Sequence, residues 1–249
     1  MAFQNQGIRR TGAGQLNQTV IIKKLIGTEL QHYPFPHFVS KNFLTLDLVG
    51  KIQDELFELE RMEPTNKFES HFGTKKEWKE FPSNLLNLNN LLELLASEDF
   101  IDCLKEKFGL SKHVSITPDL TYDGGGYVVS PPGSYLGYHA DFNFSSKASK
   151  YRVINILFYM NPNYDITQGG HLHLLDSKSK TVEKLVLPEQ NTILGFFTDD
   201  TSFHGVSLNK ADFYRRSFNL YYYSDTPISQ NQSIDPHKTI WLDIDSHEH

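Results

Sequence analysis

Three side chains of metal-binding type occur in two short strings of the sequence. His139 and Asp141 lie in Tyr-His-Ala-Asp at 138–141, and His204 lies in Phe-His-Gly-Val at 203–206. Two imidazoles and one carboxylate can hold non-heme Fe(II) on one face and leave the opposite coordination positions open for oxygen chemistry. Because residues two apart on a strand point the same way, His139 and Asp141 can share one ion, and His204 must come from a distant strand.

A His-x-Asp pattern is short, and a chain with 11 His contains such patterns by chance. Taken alone, His139 and Asp141 are more readily explained as a core histidine paired with a carboxylate. The metal hypothesis gains support from the residues that follow. A second histidine, His204, an arginine and the strands between them come in an order along the chain that could assemble one site. The arginine is Arg215 or Arg216, at the head of the aromatic strand Ser-Phe-Asn-Leu-Tyr-Tyr-Tyr. A buried guanidinium there could bind a carboxylate through two parallel hydrogen bonds.

The composition is that of an ordinary globular protein. The chain has 249 residues, of which 39% are hydrophobic and 22% charged, and its net charge is -6. We expect no nucleic-acid partner, because no basic stripe is present, and no membrane span, because no apolar run approaches roughly 20 residues. The polar N-terminus lacks the apolar core of a signal peptide. The single cysteine, Cys103, excludes an internal disulfide. The single cysteine and the lack of a signal peptide together predict a cytoplasmic protein. The sequence does not predict the oligomeric state.

The first half of the chain is expected to be mainly helical. Apolar residues at helical spacing and capping residues predict three helices: one from a cap at Ser40 or Asn42 to about Leu59, one over 85–95, and one over 98–108 between the cap Ser97 and the stop Gly109. Residues 20–26 are apolar and predict a strand. Residues 61–80 are charged and patternless, which indicates an exposed connection.

The hydrophobic period changes from helical to strand-like near residue 115. Four runs rich in β-forming residues predict strands: 151–160, 171–175, 192–197 and 216–223. Helices followed by strands imply one α+β domain, with the helices against one face of a β-sandwich or barrel. The domain then divides into four parts: a flexible arm over 1–19, helical support over 20–114, a β core over 115–225, and a polar tail over 226–249 that is expected to wrap the surface.

Six segments of the second half carry a resemblance to a known family. They are Gly-Gly-Gly-Tyr at 124–127, His-Ala-Asp-Phe-Asn at 139–143, Arg-Val-Ile-Asn-Ile-Leu-Phe-Tyr-Met-Asn at 152–161, Gly-Gly-His-Leu-His-Leu-Leu-Asp at 169–176, Ser-Phe-His-Gly at 202–205, and Arg-Arg-Ser-Phe-Asn-Leu-Tyr-Tyr-Tyr at 215–223. In this order they resemble the 2-oxoglutarate/Fe(II)-dependent oxygenases, in the prolyl-4-hydroxylase-like branch. The resemblance implies a double-stranded β-helix, or jelly-roll, core with the N-terminal helices packed on one sheet.

The resemblance also implies a set of ligands and residue roles. It implies Fe(II) held by His139, Asp141 and His204 as the catalytic centre, with 2-oxoglutarate and dioxygen as co-substrates and ascorbate in support. The family pattern Arg-x-Ser selects Arg215 for the far carboxylate of 2-oxoglutarate, and Arg216 remains the alternative. Strand alternation puts Arg215 on a polar face and Arg216 among apolar residues. Three residues of the strand 152–160 share a face towards the co-substrate: Tyr159, whose hydroxyl would meet the same carboxylate, Asn155 and Leu157.

Several further residues have two possible roles. Tyr127 and Tyr138 could line a substrate pocket or could equally be core aromatics, and Tyr221 is a third candidate for substrate contact. His171 and His173 alternate with leucines and could suggest a second metal site. A solvent-facing or site-rim pair on a strand is the commoner explanation for them.

The implied activity is oxidative decarboxylation of 2-oxoglutarate coupled to hydroxylation of an aliphatic carbon. Peptidyl proline, a free amino acid, a sugar and other small molecules all remain open as substrates. The presence of Asp141 disfavours the halogenating relatives, in which a small residue replaces it. The rivals are a non-catalytic jelly-roll protein that binds a metal or ligand, and a cupin-like metalloenzyme that uses no 2-oxoglutarate. Neither rival requires a buried arginine shortly after the second histidine.

Overall fold

The computed structural model describes residues 17–70, 73–210 and 212–243, so most of the predicted arm over 1–19 lies outside the described residues. The described helices are α1 (Gln18–Gly27), α2 (Leu46–Leu59), α3 (Leu86–Leu95) and α4 (Glu98–Lys107). The described strands are β1 (His37–Lys41), β2 (Asn66–Ser70), β3 (Gly73–Trp78), β4 (Ile116–Pro118), β5 (Gly126–Ser130), β6 (Leu136–Ala140), β7 (Phe144–Ser145), β8 (Lys150–Tyr159), β9 (Leu172–Leu175), β10 (Val182–Val186), β11 (Thr192–Phe197), β12 (His204–Val206), β13 (Arg215–Ser224) and β14 (Ile240–Trp241).

The predicted strand over 20–26 is wrong, because these residues belong to α1. The side chain of Asn17 caps the helix by accepting a hydrogen bond from the backbone N–H of Val20 at 3.2 Å. Ile21 and Leu25, one helical turn apart, are buried. The β-branched run Val-Ile-Ile favours a strand by local propensity. Burial of a single helical face overrides that propensity.

The three other helices match the predicted ones with one shifted boundary. Helix α2 begins at Leu46, and its N-cap is Thr45, whose backbone has the extended conformation typical of a cap. Neither predicted cap is used, because Ser40 belongs to β1 and Asn42 has a φ of 53°. Ser97 caps α4 by accepting from the N–H of Phe100 at 3.3 Å. Gly109, at a φ of 66°, follows the end of the helix as predicted.

Within the described residues, none of the helices has the length and apolar character needed to cross a bilayer.

The predicted exposed connection over 61–80 is wrong in one respect, since it contains the antiparallel hairpin β2–β3. Strand β2 is exposed along its whole length. Its charged residues therefore show no alternation that a sequence pattern could detect. Strand β3 joins the main sheet, with Trp78 opposite Tyr127 of β5, and it reaches β6 where Gly73 lies opposite Leu136.

The strands form an antiparallel and nearly closed sheet in the order β1-β11-β8-β13-β5-β3-β6-β12-β9-β10. Strands β8 and β11 of one layer and β9, β10 and β12 of the other enclose an apolar interior that includes Leu157, Leu174, Leu194 and Phe196. This is the predicted double-stranded β-helix. The opposite faces of β8 and β13 pack under the N-terminal helices through residues such as Phe158 and Leu220, which confirms helices on one sheet.

Asn191 joins the turn before β11 to the chain that leads into α2. Its side chain donates to the carbonyl oxygen of Leu44 and accepts from the N–H of Leu44, both at 2.8 Å. Asn191 is 3% exposed and has a φ of 62°. The residue therefore combines two buried hydrogen bonds with a left-handed backbone that asparagine tolerates better than most residues.

We expect Asn191→Ala to lower the free energy of unfolding by about 3 kcal/mol, from two lost hydrogen bonds and a strained left-handed residue. Asn191→Gly is the matched control, because it loses the same bonds without the strain and should lose about 1 kcal/mol less. Urea unfolding followed by circular dichroism measures both values. Equal stability of the alanine variant and the unsubstituted protein would contradict the role of Asn191.

Candidate active site

The register of β6 and β12 brings the two candidate histidine ligands together. These antiparallel strands place His204 directly opposite His139, with ring centroids 4.4 Å apart. Asp141 follows the end of β6. Its Oδ1 lies 3.5 Å from His139 Nε2, and its Oδ2 lies 3.7 Å from His204 Nε2. One donor atom from each of the three residues lies within 4.8 Å of the others, close enough to share one ion.

Backbone carbonyls select the ring nitrogen that each histidine presents to the site. The Nδ1 of His139 lies 2.8 Å from the carbonyl oxygen of Gly137, and the Nδ1 of His204 lies 2.9 Å from that of Ser202. Because a carbonyl only accepts, each Nδ1 carries a hydrogen, and Nε2 is the ring nitrogen that each histidine presents to the site. Burial, and then the neighbouring His139, lower the pKa of His204 to about 4, so its ring is neutral and able to bind a metal at neutral pH.

The carboxylate of Asp141 is held in its charged form. Burial opposes ionisation, but the guanidinium of Arg152, 3.2 Å away, and the two histidines hold the pKa of Asp141 well below its usual value. Asn155 donates a further hydrogen bond to Asp141 Oδ2 at 2.8 Å. Two imidazoles and one anionic carboxylate, with no thiolate, fit a divalent ion of the Fe(II) type.

Arg152 is a site residue that sequence reasoning missed, and a β-bulge is the reason. Strand β13 pairs Tyr222 with Ile154 and the next residue, Tyr223, with Arg152, so Val153 is an extra residue in β8. Simple alternation would place Arg152 on the face of Ile154, under the helices. The bulge turns it towards the cavity instead. A charged residue at the head of an apolar strand, close before the candidate Asn155, is the signal that could have pointed to it.

The guanidinium of Arg152 is enclosed by groups that fix its plane. Its Nε donates to Asn155 Oδ1 at 2.9 Å, and its carbon lies 3.5 Å from the ring centroid of Tyr221. The side chain of Arg152 is 3% exposed. Arg152 and Asn155 therefore form a linked pair that both contact the carboxylate of Asp141.

Arg215 lies in the same cavity, buried and 4% exposed. Its Nη2 donates to the hydroxyl of Tyr159 at 3.2 Å, and its Nε donates to the carbonyl of Gly170 at 2.9 Å. Among the described residues, no carboxylate forms an ion pair with Arg215. Burial raises the pKa of Tyr159, although Arg215 opposes the shift, so the hydroxyl stays neutral and can donate. A buried cation without an acidic partner is suited to an anionic ligand.

Gly170 is required for the position of Arg215. Its φ is 69°, and a Cβ at this position would lie 2.6 Å from Asn209 Oδ1 and 3.3 Å from Arg215 Cδ. The carbonyl of Gly170 can therefore approach the guanidinium only because the residue has no side chain.

Arg216, the alternative candidate, lies on the other face of β13. It forms two hydrogen bonds to the carboxylate of Glu60 at the end of α2, of 2.7 Å from Nε and 3.1 Å from Nη2. The hydroxyl of Tyr127 donates to the same carboxylate at 2.6 Å. Arg216 thus links the sheet to α2, and its charge is already compensated.

The candidate residues line a cavity of about 510 Å³. Beside Arg215 its wall is apolar and includes Leu157, Leu172, Phe196 and Val206. The cluster of His139, Asp141 and His204 lies along the cavity, with Asn155 and Tyr221. The hairpin β2–β3 lines another part, where the buried Glu77 pairs with Lys75 at 2.6 Å and Lys79 at 3.3 Å.

The prediction that Tyr127 and Tyr138 line a substrate pocket is wrong. Neither lies among the residues that line the cavity, and both rings are at most 1% exposed. Tyr127 points under the helices. The hydroxyl of Tyr138 lies 2.8 Å from His173 Nδ1 on the outer side of β9. His173 is therefore buried rather than solvent-facing, whereas His171 is half-buried with its Nε2 3.1 Å from the carbonyl of Ile166.

We expect Arg152→Met to weaken binding of a divalent ion about 10- to 100-fold, because the carboxylate of Asp141 loses its charged partner. Isothermal titration of the metal-free protein with Mn(II) measures the effect. The matched control is Lys150→Met, two residues earlier in β8, since Lys150 pairs with Asp225 at the surface. Equal affinity of the Arg152 and Lys150 variants for Mn(II) would contradict the role of Arg152.

Comparisons with known proteins agree with this geometry. Residues 125–223 match the family model described as the 2OG-Fe(II) oxygenase superfamily. A prolyl-4-hydroxylase from Pseudomonas putida is 16% identical with a TM-score of 0.56, over 83% of this chain and 97% of that one. A prolyl hydroxylase from Trichoplax adhaerens, solved with a peptide fragment of the hypoxia inducible factor oxygen degradation domain, is 16% identical with a TM-score of 0.55, over 84% and 89%.

A prolyl 4-hydroxylase from Phytophthora capsici is 12% identical with a TM-score of 0.56, over 89% of this chain and 72% of that one. None of the curated proteins matches the chain. The superfamily is named for its metal, Fe(II), and its co-substrate, 2-oxoglutarate, and both fit the donor set and the buried cation described above. Within its matched region, residues 125–223, the chain is similar to the 2OG-Fe(II) oxygenase superfamily, and it has the jelly-roll fold of the prolyl-4-hydroxylase structures above.

Proposed function

We propose that the chain is a dioxygenase that hydroxylates an aliphatic carbon, with His139, Asp141 and His204 as the ligands of Fe(II). Arg215 and Tyr159 bind the far carboxylate of 2-oxoglutarate. The observation that carries the proposal is the buried guanidinium of Arg215, which has no acidic partner among the described residues and shares a cavity with the metal-binding cluster. A binding protein without turnover has no need for this combination.

The residues of the chain perform four tasks in this reaction. Carbonyls of Gly137 and Ser202 hold the two histidines with Nε2 towards the ion. Arg152 and Asn155 keep the carboxylate of Asp141 charged and oriented. Arg215 and the neutral hydroxyl of Tyr159 offer hydrogen bonds to a carboxylate. A bidentate pair of this kind fixes the direction of the bound acid as well as its position.

When bound, Fe(II) and 2-oxoglutarate supply the oxidising chemistry, in which dioxygen is consumed, 2-oxoglutarate becomes succinate and CO2, and a C–H bond becomes C–OH. As a ligand, Asp141 would take the coordination position that a halide needs, and this favours hydroxylation over halogenation. The apolar wall of Leu157, Leu172, Phe196 and Val206 excludes water from the region around the co-substrate.

The shape of the entrance favours a peptidyl substrate over a free small molecule. A second hollow of about 560 Å³ adjoins the cavity, and four residues line both: Asp123, Phe142, Thr239 and Trp241. Together the two hollows provide an extended groove with aromatic walls that a chain could follow past the metal site. The Trichoplax adhaerens structure, which has a similar fold, contains a bound peptide fragment and supports the same choice.

Catalysis can be tested before the substrate is known. We expect the purified protein, incubated with Fe(II), ascorbate, dioxygen and 2-oxoglutarate, to produce succinate slowly, and Asp141→Ala to produce none. Because Asp141→Ala leaves Arg152 without its acid, His204→Ala serves as a second inactive variant that keeps this ion pair. Two results together would favour the non-catalytic binding protein. The unsubstituted protein would produce no more succinate than the two variants, and its melting temperature would not rise on adding 2-oxoglutarate and Mn(II).

The two arginines should separate co-substrate binding from stability. We expect Arg215→Ala to raise the apparent dissociation constant of 2-oxoglutarate well over tenfold, because a lost charge-assisted pair costs on the order of 2–5 kcal/mol. Arg216→Ala should leave that constant unchanged and lower the free energy of unfolding by about 2 kcal/mol, through loss of its bonds to Glu60. An anaerobic titration with Fe(II), followed by the visible charge-transfer band, gives the constants, and the reverse pattern would contradict the assignment.

A further inference from the structure

The C-terminal part of the chain does not simply wrap the surface, as the sequence suggested. Residues 229–242, here called the C-terminal strap, return to the candidate metal site and end on β6. Strand β14 pairs there in antiparallel fashion, with Ile240 opposite Ala140 and Trp241 opposite His139. The N–H of Leu242 donates to the carbonyl of Tyr138 at 2.8 Å. The strap therefore reaches the strand that carries one of the candidate metal ligands.

Alternation along the strap directs Trp241 into the cavity. Ile240 and Leu242 pack against the cluster of Tyr138 and Ala140 on the outer side of β6. Trp241, between them, faces the other side, and its ring centroid lies 4.8 Å from that of His139 at an interplanar angle of 37°. Trp241 also lines both the cavity and the adjoining hollow.

The strap is anchored beside the residue that supplies the carboxylate. Asn143, two residues after Asp141, is 3% exposed. Its side-chain amide donates to the carbonyls of Ser233 at 2.9 Å and Asp235 at 3.0 Å, and its oxygen accepts from the N–H of His237 at 2.8 Å. These three bonds hold the strap against the segment that positions Asp141.

A second anchor connects the strap to the loop that precedes His204. The N–H of Ser233 donates to Asp200 Oδ2 at 3.0 Å, and the hydroxyl of Ser229 donates to Asp199 Oδ2 at 2.7 Å. In the same loop, the carbonyl of Ser202 holds Nδ1 of His204. The strap thus contacts the chain next to all three candidate ligands, although it supplies no ligand atom.

We propose that the C-terminal strap is a structural part of the metal site and that Trp241 is a positioning residue for His139. The inference rests on the proposed metal-binding role of His139, Asp141 and His204. His139 is held by a hydrogen bond at Nδ1 and by Asp141, whose Oδ1 lies 3.5 Å from Nε2. Its ring also contacts the rings of His204 and Trp241. The indole restricts rotation of the imidazole and covers one side of it from solvent. Ordering of the ligand before the ion binds raises the affinity for the ion.

Affinity and coordination geometry test the positioning role. Metal-free protein is titrated with Co(II), whose visible d–d spectrum reports its coordination, and activity is not needed as a readout. We expect Trp241→Ala to weaken Co(II) binding about 10-fold or more and to alter the spectrum. Trp241→Phe keeps an aromatic ring over His139 and should restore both. Circular dichroism and thermal unfolding of the metal-free variants show whether the fold is retained.

Fluorescence tests the proximity of the strap to the metal in solution. The chain has 2 Trp, Trp78 and Trp241, so Trp78→Phe leaves Trp241 as the single tryptophan. We expect one equivalent of Co(II) to quench its emission, and we expect His204→Ala to abolish the quenching. Zn(II) has a filled d shell and serves as the non-quenching control.

The outcomes of these experiments distinguish a failure of the role proposed for the strap from a failure of the proposed metal site. Tight Co(II) binding by the unsubstituted protein, with the same affinity and spectrum in Trp241→Ala, would overturn the positioning role alone. Saturable Co(II) binding without quenching in the Trp78→Phe variant would likewise overturn the placement of the strap. Failure of the unsubstituted protein to bind Co(II) would overturn the proposed metal site and, with it, the role of Trp241.

Discussion

The candidate active site depends above all on the register between β6 and β12. Strand β12 has only three residues, and it lies between β6 and β9 with His204 opposite both His139 and Leu174. Because side chains alternate along a strand, a slip of one residue would turn His204 away from the cavity. The apolar Val206, on the same face of β12, packs into the interior and favours the observed register. Burial of the core and assembly of the site are therefore specified together.

Charge compensation separates the roles of three buried or partly buried arginines. Arg152 is paired with Asp141, and Arg216 is paired with Glu60, so their charges are balanced within the protein. Arg215 has only neutral hydrogen-bond partners among the described residues. Since a buried charge is costly without a counter-ion, this difference points to an anionic ligand beside Arg215. The same difference explains why two adjacent arginines in one strand perform unrelated tasks.

The sequence by itself determined those features that depend on residue chemistry and local periodicity. The types and spacing of His139, Asp141 and His204 indicated one metal site, and the structure brings their donor atoms together. Alternation along β13 was enough to place Arg215 and Arg216 on opposite faces. Helix α4 was predicted with its cap and its stop because capping is decided within a few residues of the chain. The jelly-roll followed from a resemblance spread over the whole second half.

Only the tertiary structure decided features that depend on a partner strand or a distant segment. The bulge that turns Arg152 towards Asp141 is an offset between β8 and β13, and neither strand encodes it alone. Residues 20–26 form a helix because one face of it, with Ile21 and Leu25, packs into the hydrophobic core. Local propensity carries no information about that distant packing partner. Tyr127 lies in the core, and Trp241 lines the cavity. The residues that flank each of them in the sequence do not indicate which of these two locations the side chain takes. Pairing register and long-range burial are properties of two segments at once, so a pattern within one segment cannot predict them.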